Sequence, residues 1–520
     1  MSLQYDYVII GSGFGGSVSA LRLAEKGYRV LVIEKGRRFK EKDFPKTNWD
    51  LRKWLWAPLL KFRGAFRISF FRHVAVMHGV GVGGGSLVYA AALPMPPTGF
   101  FYSGHWQGLA EWEQELKPFY TTARRMLGSA LNPRLETGDH IMKDLAAEMG
   151  REEHFSHTEV GIFLGEPGRQ VKDPYFNGLG PDRSGCTFCG GCLIGCRHNA
   201  KNSLDKNYLY LAQQAGVEIL AETEAYDVVP LDGANGATGY EVKFKTKGRR
   251  QTITSHAVIF AGGVLGTVNL LLKLKNTSLP RLSSMVGEGV RTNNESIVAM
   301  VNYKQNKDLS RGVAIGSVLR LDETTYVEPF RYNKGSGAWR LFLLPFTHSN
   351  TFAGRVGQIL VDLLRYPWIN LKTLFVDDFG KRTQALLFMQ QGEQSLRLKR
   401  GWLGLKSVLR KGTKPTPFMP MVGAFANRYG QKLEGKPYML STEALLGIPS
   451  TAHLLGGAVM GRDSTEGVID KDNHVFGYEN MFVCDGAMIS SNPGVNPSLT
   501  ITAIAERAMS KINPKSADMS

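Results

Sequence analysis

Apolar and polar positions alternate in blocks that read as elements from the first residues onward. Tyr7–Ile10 is a short apolar run, followed by Gly11-Ser12-Gly13-Phe14-Gly15-Gly16 and by apolar residues at helical spacing through Ala20, Leu21, Leu23 and Ala24. A second apolar run, Val30–Ile33, ends on Glu34. The pattern predicts strand, glycine turn, helix, strand. Val258–Ala261 with Gly262-Gly263 predicts another strand and turn, then a helix over Leu265–Leu272. Met481–Val483 predicts a strand leading into Cys484-Asp485-Gly486, with a helix over Ile501–Met509. Gly79 to Ser86 forms a second glycine-dense loop. No stretch reaches 18 uninterrupted apolar residues, so no spanning helix is predicted.

The opening unit is the dinucleotide-binding βαβ pattern, with an acid about 20 residues past the glycines. Gly11 permits the tight turn, Gly13 lets the backbone approach a pyrophosphate, and Gly16 allows close helix–strand packing; Phe14 and Gly15 lie in the same candidate cradle. The helix N-terminus offers unpaired N–H groups to the phosphates. Glu34 is placed to accept ribose hydroxyls and opposes a 2′-phosphate, so NADP is disfavoured. The position of the unit at the start of the chain, with three later glycine or Asp-Gly segments, points to FAD.

Composition narrows the class. The 520 residues are 43% hydrophobic and 21% charged, enough to build a sizeable core and to exclude global disorder. Lys+Arg 63 against Asp+Glu 46 leaves a formal charge of +17, which implies an anionic partner: nucleic acid, an anionic membrane surface or a phosphorylated cofactor. No compact basic block of the arm type occurs, so no nucleic-acid partner is expected. Five cysteines, four of them within eleven residues, do not read as a disulfide framework. A reducing, cytoplasmic setting is expected, either free or peripheral at the inner face of the membrane.

The segments GSGFGGSVSALRLAEKGYRVLVIEKG, GVGVGGGSLVYAAA, TAHLLGG and VCDGAMISSNPGVNPSLTITAIAERA together resemble the glucose–methanol–choline (GMC) flavoprotein oxidoreductases, and within them the cholesterol-oxidase-like branch. The resemblance implies FAD-dependent oxidation of the hydroxyl of a bulky apolar alcohol, a sterol or similar. It implies His453 as acid/base and Asn496 as the side chain that orients substrate or flavin edge. Gly83, Gly84, Gly85, Ser86, Asp485 and the backbone at Ala487 would attend the flavin half. Members of that branch carry Asn after the Gly-Gly-Gly-Ser segment where this chain has Tyr89. They also use a carboxylate to isomerise the ketone's double bond; the nearest sequence candidate is Glu393, equally readable as a solvated surface acid.

Cys186-x2-Cys189-x2-Cys192-x3-Cys196 has ferredoxin-type spacing, with Arg197 in place of the usual proline. Two readings stand: an iron–sulfur cluster that hands electrons on to a cytochrome or quinone, or a glycine-rich loop of reduced thiols. Structural zinc fits less well, since it draws two separated pairs.

Trp49–His73 carries six Lys/Arg and one Asp among large apolar side chains, and Phe352–Phe375 is similar but less basic. Both read as an interfacial surface for anionic lipid or as a lid packed on the enzyme, with Pro58 and Pro367 interrupting helices. The expected fold is α/β: a discontinuous Rossmann-type FAD-binding domain (1–48, 74–95, 186–292, 448–520) and a substrate-binding domain of antiparallel sheet plus helices (96–185, 293–447). The segment 49–73 is the lid or membrane contact. The rival from another class is a non-catalytic flavin-bearing membrane or assembly protein.

Overall fold

Tyr5–Ile10 pairs in parallel with Val30–Ile33 on one side and with the end of Arg249–Phe260 on the other. Glu218–Leu220 and Met481–Val483 extend this parallel core. The first half of Arg249–Phe260 continues instead into an antiparallel meander with Tyr240–Thr246 and Thr223–Pro230, giving a mixed seven-stranded sheet. Val30–Ile33 and Val258–Phe260 are buried at every position, as strands covered on both faces must be. Helix α1 (Phe14–Glu25) packs against the C-terminal helix (Ser498–Ser510), and helix α2 (Gly263–Leu274) follows the Arg249–Phe260 strand. This computed structural model describes residues 3–304, 306–402, 404–409 and 414–516. Positions 1–2 and 517–520 of the expected FAD-binding segments, and 305, 403 and 410–413 of the expected substrate domain, lie outside the described residues.

A second seven-stranded sheet is antiparallel throughout. Its order is Leu343–Pro345, Gly435–Leu440, Ser296–Asn302, Thr383–Gln390, Thr325–Phe330, Ser317–Arg320 and Phe155–His157. Its pleat divides labour between two faces. Val298, Met300, Leu386 and Phe388 join the core beneath helices Thr137–Glu148 and Pro420–Leu433. Their neighbours Ile297, Ala299, Ala385 and Leu387 line a cavity on the opposite face. The fold is therefore α/β, a Rossmann-type sheet joined to an antiparallel sheet with helices. The first sheet draws its strands from 5–10, 30–33, 218–260 and 481–483, and the second from 155–157 and 296–440.

The basic aromatic segment differs from the interrupted helix its sequence predicts. Leu51–Trp54 is α-helical and Pro58–Leu60 a single 3-10 turn; Trp56–Ala57 and Phe62–Arg63 form a hairpin, and Phe66–Phe70 pairs with Ala75–Gly79 in a three-stranded sheet completed by Ser450–Thr451. Pro58 sits in the hairpin's turn, where its fixed φ is useful. In the middle segment, α3 (Phe352–Arg365) and α4 (Pro367–Leu374) are separate helices, with Pro367 at the first position of the second.

Candidate active site

One cavity of about 1120 Å³ runs between the two large sheets. At one end lie Gly11–Gly15, Glu34, Gly84 and Gly85; at the other, His453, Asn496 and the apolar wall of the antiparallel sheet. Gly11 sits at φ +111, and a Cβ there would fall 2.2 Å from the Ala261 carbonyl oxygen. Gly16 would meet the Gly11 carbonyl at 2.1 Å, which is the close helix–strand packing expected of it. At Gly13 the nearest protein atom to such a Cβ is 4.0 Å away, so that side is open to the cavity. Gly15 lines the cavity but also abuts the Cys484 carbonyl at 1.8 Å, so its first duty is packing. α1 begins behind Gly13 with no side-chain cap and no acid in its first turn. Its leading N–H groups are left for an anion.

Glu34 is buried and accepts from Ser12 N at 3.1 Å, Ser12 Oγ at 2.7 Å and Gly36 N at 2.7 Å. These bonds fix the carboxylate where it lines the cavity, in reach of a ribose hydroxyl. Burial pushes its pKa up and the hydrogen bonds pull against that. The second glycine loop divides its work. Gly84 and Gly85 face the cavity, whereas Gly83 and Ser86 brace the loop: Gly83 N donates to Ser12 Oγ at 3.1 Å, and Ser86 Oγ donates to the Gly83 carbonyl at 2.7 Å. A Cβ on Gly84 would lie 2.8 Å from Gly13 Cα, so the two glycine loops touch. These features fit a dinucleotide: two backbone surfaces without side chains, an uncapped helix end and a cavity-lining carboxylate.

Asp485 ties α2 to the segment after Met481–Val483. Its carboxylate accepts from Gly263 N at 2.8 Å, Thr267 Oγ1 at 2.5 Å and Ala487 N at 2.7 Å. Burial raises its pKa to about 6. Ala487 differs from its expected role. Its N–H is taken by Asp485 and its carbonyl by Ala458 N at 3.0 Å, and it does not line the cavity. Tyr89 lines the cavity, sets its ring edge-on to Phe14 at 5.6 Å, and donates its hydroxyl to the Asn202 carbonyl at 2.9 Å.

His453 and Asn496, 43 residues apart in the chain, meet with Asn496 Nδ2 3.5 Å from His453 Nε2. Thr451, at the end of its short strand, receives the His453 N–H on Oγ1 at 2.9 Å. Asn293 fixes the other loop, donating to the Val495 carbonyl at 3.1 Å and accepting from Gly494 N at 2.9 Å. Asn496 Oδ1 is buried without a protein partner, which leaves it for a ligand. Two acids that sequence reasoning missed complete the site. Glu295 Oε1 lies 2.5 Å from His453 Nδ1. Glu328 is fully buried, neither of its oxygens has a hydrogen-bond partner, and His453 and Asn496 are near enough to favour its charged form. Burial dominates and pushes its pKa up to about 7.

Register explains why these acids are inside. Ile297 pairs with Leu387 and Leu387 with Glu328, so all three stand on the cavity side of the pleat. Glu295 precedes Ile297 by two residues and shares that face. An acid inside the apolar run Thr325–Phe330 was the available sequence signal for Glu328. Glu393, the carboxylate singled out from sequence, is exposed and does not line the cavity. It follows the cavity-facing strand Thr383–Gln390, where the chain has turned to the surface.

The cysteine loop does not assemble a metal site. Among the described residues, no three His, Cys, Asp or Glu side chains converge as a metal would require. Cys186 and Cys192 are buried, and burial pushes both thiols up, Cys192 to about 12. The buried Lys201 amine lies among the loop's carbonyls, donating to the Leu87 and Cys192 carbonyl oxygens at 2.8 Å each. This is the arrangement of packed, reduced thiols, and the cluster reading of Cys186, Cys189, Cys192 and Cys196 gives way to it.

The GMC oxidoreductase family models match residues 5–274 and 423–505. The chain is 43% identical to a cholesterol oxidase of Acinetobacter baumannii, over 98% of this chain and 95% of that protein. It is 44% identical to a cholesterol oxidase of Mycobacterium tuberculosis, over 98% of this chain and 91% of that protein. The solved structure of pyridoxine 4-oxidase from Mesorbium loti matches with a TM-score of 0.62 at 14% identity, covering 97% of this chain and 98% of that one. That likeness speaks to the fold.

Proposed function

We propose, from the premise that this chain belongs to the GMC oxidoreductases and is an FAD-dependent alcohol oxidoreductase, that its substrate is a bulky apolar alcohol of the sterol kind, oxidised at the hydroxyl carbon. The observation that carries this reading is the continuous cavity of about 1120 Å³. That exceeds the roughly 300–1,000 Å³ of a single drug-sized ligand site. The glycine end suits the dinucleotide, and the wall of Ile297, Ala299, Leu387, Trp339 and Leu343 suits a rigid apolar body next to His453. FAD, when bound, supplies the acceptor for the hydride leaving the carbinol carbon. Gly11, Gly13 and Glu34 hold the ADP half, with Gly16 closing the packing beneath it. Gly84, Gly85 and Asp485 border the flavin half. His453 Nε2 takes the hydroxyl proton and Asn496 orients the oxygen. Passage of electrons through a cysteine cluster lacks a converging ligand set to support it.

Anaerobic mixing with a detergent-solubilised 3β-hydroxysterol should bleach the flavin absorption within the enzyme's turnover time. Bleaching by a long-chain primary alcohol but by no sterol would overturn the substrate class.

The same reading extends to an anionic membrane surface as the place where such a substrate is met. Trp54 is buried, stacked on Phe66 at 5.2 Å and edge-on to Trp339 at 5.5 Å, so part of the basic aromatic segment covers the enzyme itself. Its hairpin tip does the opposite: Leu59 is 101% exposed and Leu60 stands beside it. On the helix pair, Leu364 is 81% and Trp368 74% exposed, next to the exposed cations Arg365 and Lys372. Arg340 links the two regions: its turn carries the cavity-lining Trp339, and its guanidinium donates to the Leu374 carbonyl at 3.2 Å. No helix among the described residues is long and apolar enough to cross a membrane, so contact would be interfacial. Phosphatidylserine-containing vesicles should bind the protein at low salt and release it at high salt. Charge reversal at Lys61, Arg365 and Lys372 should weaken binding while leaving turnover of detergent-solubilised substrate unchanged. Arg63 is a poorer probe, because it already pairs with Glu222 at 2.8 Å. Equal, salt-insensitive binding to neutral vesicles, or no binding at all, would overturn the anionic surface.

A further inference from the structure

We infer that Glu295 is a positioning residue for the oxidation, holding His453 with hydrogen on Nδ1 so that Nε2 faces the cavity as the proton acceptor. The inference rests on the role of His453 proposed above. Glu295 Oε1 is 2.5 Å from His453 Nδ1, and its other oxygen, Oε2, accepts the Ala452 N–H at 2.9 Å. The acid therefore grips both the ring and the backbone of the residue before it. Its side chain is 0% exposed and that of His453 14%. An ionised carboxylate only accepts hydrogen bonds, so contact with Glu295 places the imidazole hydrogen on Nδ1. That leaves the Nε2 lone pair directed to the side where Asn496 stands.

The strip Asn293–Glu295 thereby anchors both halves of the pair. Asn293 holds the loop that carries Asn496, and Glu295 holds His453. Neither half would stay within reach of one hydroxyl group without this strip, since 43 residues separate them along the chain.

The charged surroundings come from two further elements. Glu328 approaches from the strand Thr325–Phe330 and acts on His453 through its charge. Glu443, on the short helix Ser441–Ala444, accepts from Ile297 N and Ser450 N at 3.2 Å each and feels the charge of Glu295. Burial pushes Glu443 up to about 8 and Glu328 up to about 7. For His453, burial pulls the pKa down, but the charge and hydrogen bond of Glu295, and then the charge of Glu328, outweigh it and raise the pKa above 6.5. A base must be neutral to accept a proton, so a raised His453 pKa puts the acid limb of kcat/KM above 6.5.

Glu295→Gln should retain FAD stoichiometrically and slow anaerobic flavin reduction tenfold or more, within the roughly 10²–10⁴-fold worth of general acid–base catalysis. Losing the charge should also move the acid limb to lower pH by about 1–3 units, the usual effect of an opposite charge at this distance. Glu295→Asp, which keeps the charge, should leave the limb closer to wild type even where the rate falls. A readout independent of turnover is ¹⁵N-histidine NMR of the FAD-bound enzyme without substrate. The deshielded Nδ1–H of His453 should be present in wild type and lost in Glu295→Gln, and the titration midpoint should drop. A slower Glu295→Gln whose acid limb and His453 titration stay at wild-type pH would reduce Glu295 to a packing role and overturn the inference. Unimpaired reduction in His453→Ala would instead overturn the role of His453 itself, whatever Glu295 variants show.

Discussion

His453→Ala should bind FAD as the wild type does and reduce it about 10²–10⁴-fold more slowly under anaerobic conditions with saturating alcohol. The ring lines the end of the cavity away from the glycine loops, so removing it opens space without touching the glycine turn. The loss should fall on the rate constant for reduction more than on apparent substrate affinity, because the apolar wall that seats the substrate is unchanged. Asn496→Ala should fall less far, since it removes an orienting amide and leaves the base in place. Stopped-flow bleaching of the flavin band gives both numbers. Reduction at wild-type speed in His453→Ala would remove this residue from the chemistry.

Gly13→Val should yield folded protein that has lost FAD. The backbone at Gly13 has φ −72 and ψ −166, an extended conformation open to any residue. A Cβ there meets no protein atom nearer than 4.0 Å. The valine methyls therefore project into the space where a pyrophosphate must reach the N-terminus of α1. Gly16→Val is the contrasting variant. Its side chain collides with the Gly11 carbonyl at 2.1 Å, so it should damage folding as well as binding. Flavin absorbance per chain, with circular dichroism as the folding control, separates the two. Stoichiometric FAD in folded Gly13→Val would refute the assignment of this turn to the cofactor.

The nucleotide end of the molecule was legible in the chain because its requirements are local. A turn with φ +111 at Gly11 needs glycine there, and a helix packed against its strand needs Gly16 a few residues on. These demands are met within about 30 residues, so spacing carries them. The His453 and Asn496 segments were legible for a related reason: each is a short loop bounded by its own strand or helix, and the resemblance named both. The cysteine loop left two readings open on the same count. Its spacing is also local, but convergence of four thiols depends on how the loop is folded against Lys201 and its neighbours, and spacing does not report that.

By itself, then, the sequence determined the glycine turn with its helix, the parallel strands around it and the two loops that bring His453 and Asn496. The tertiary structure decided which carboxylates serve them. Glu295 and His453 are 158 residues apart, and no local pattern ties one to the other. Along the chain Glu393 was singled out and Glu328 was missed. Strand register puts Glu328 across from Leu387 on the cavity face, whereas Glu393 lies past the end of its strand in solvent. Side chains alternate faces every residue along a strand, so which acids are buried beside the histidine was set only when the second sheet closed in register over the first.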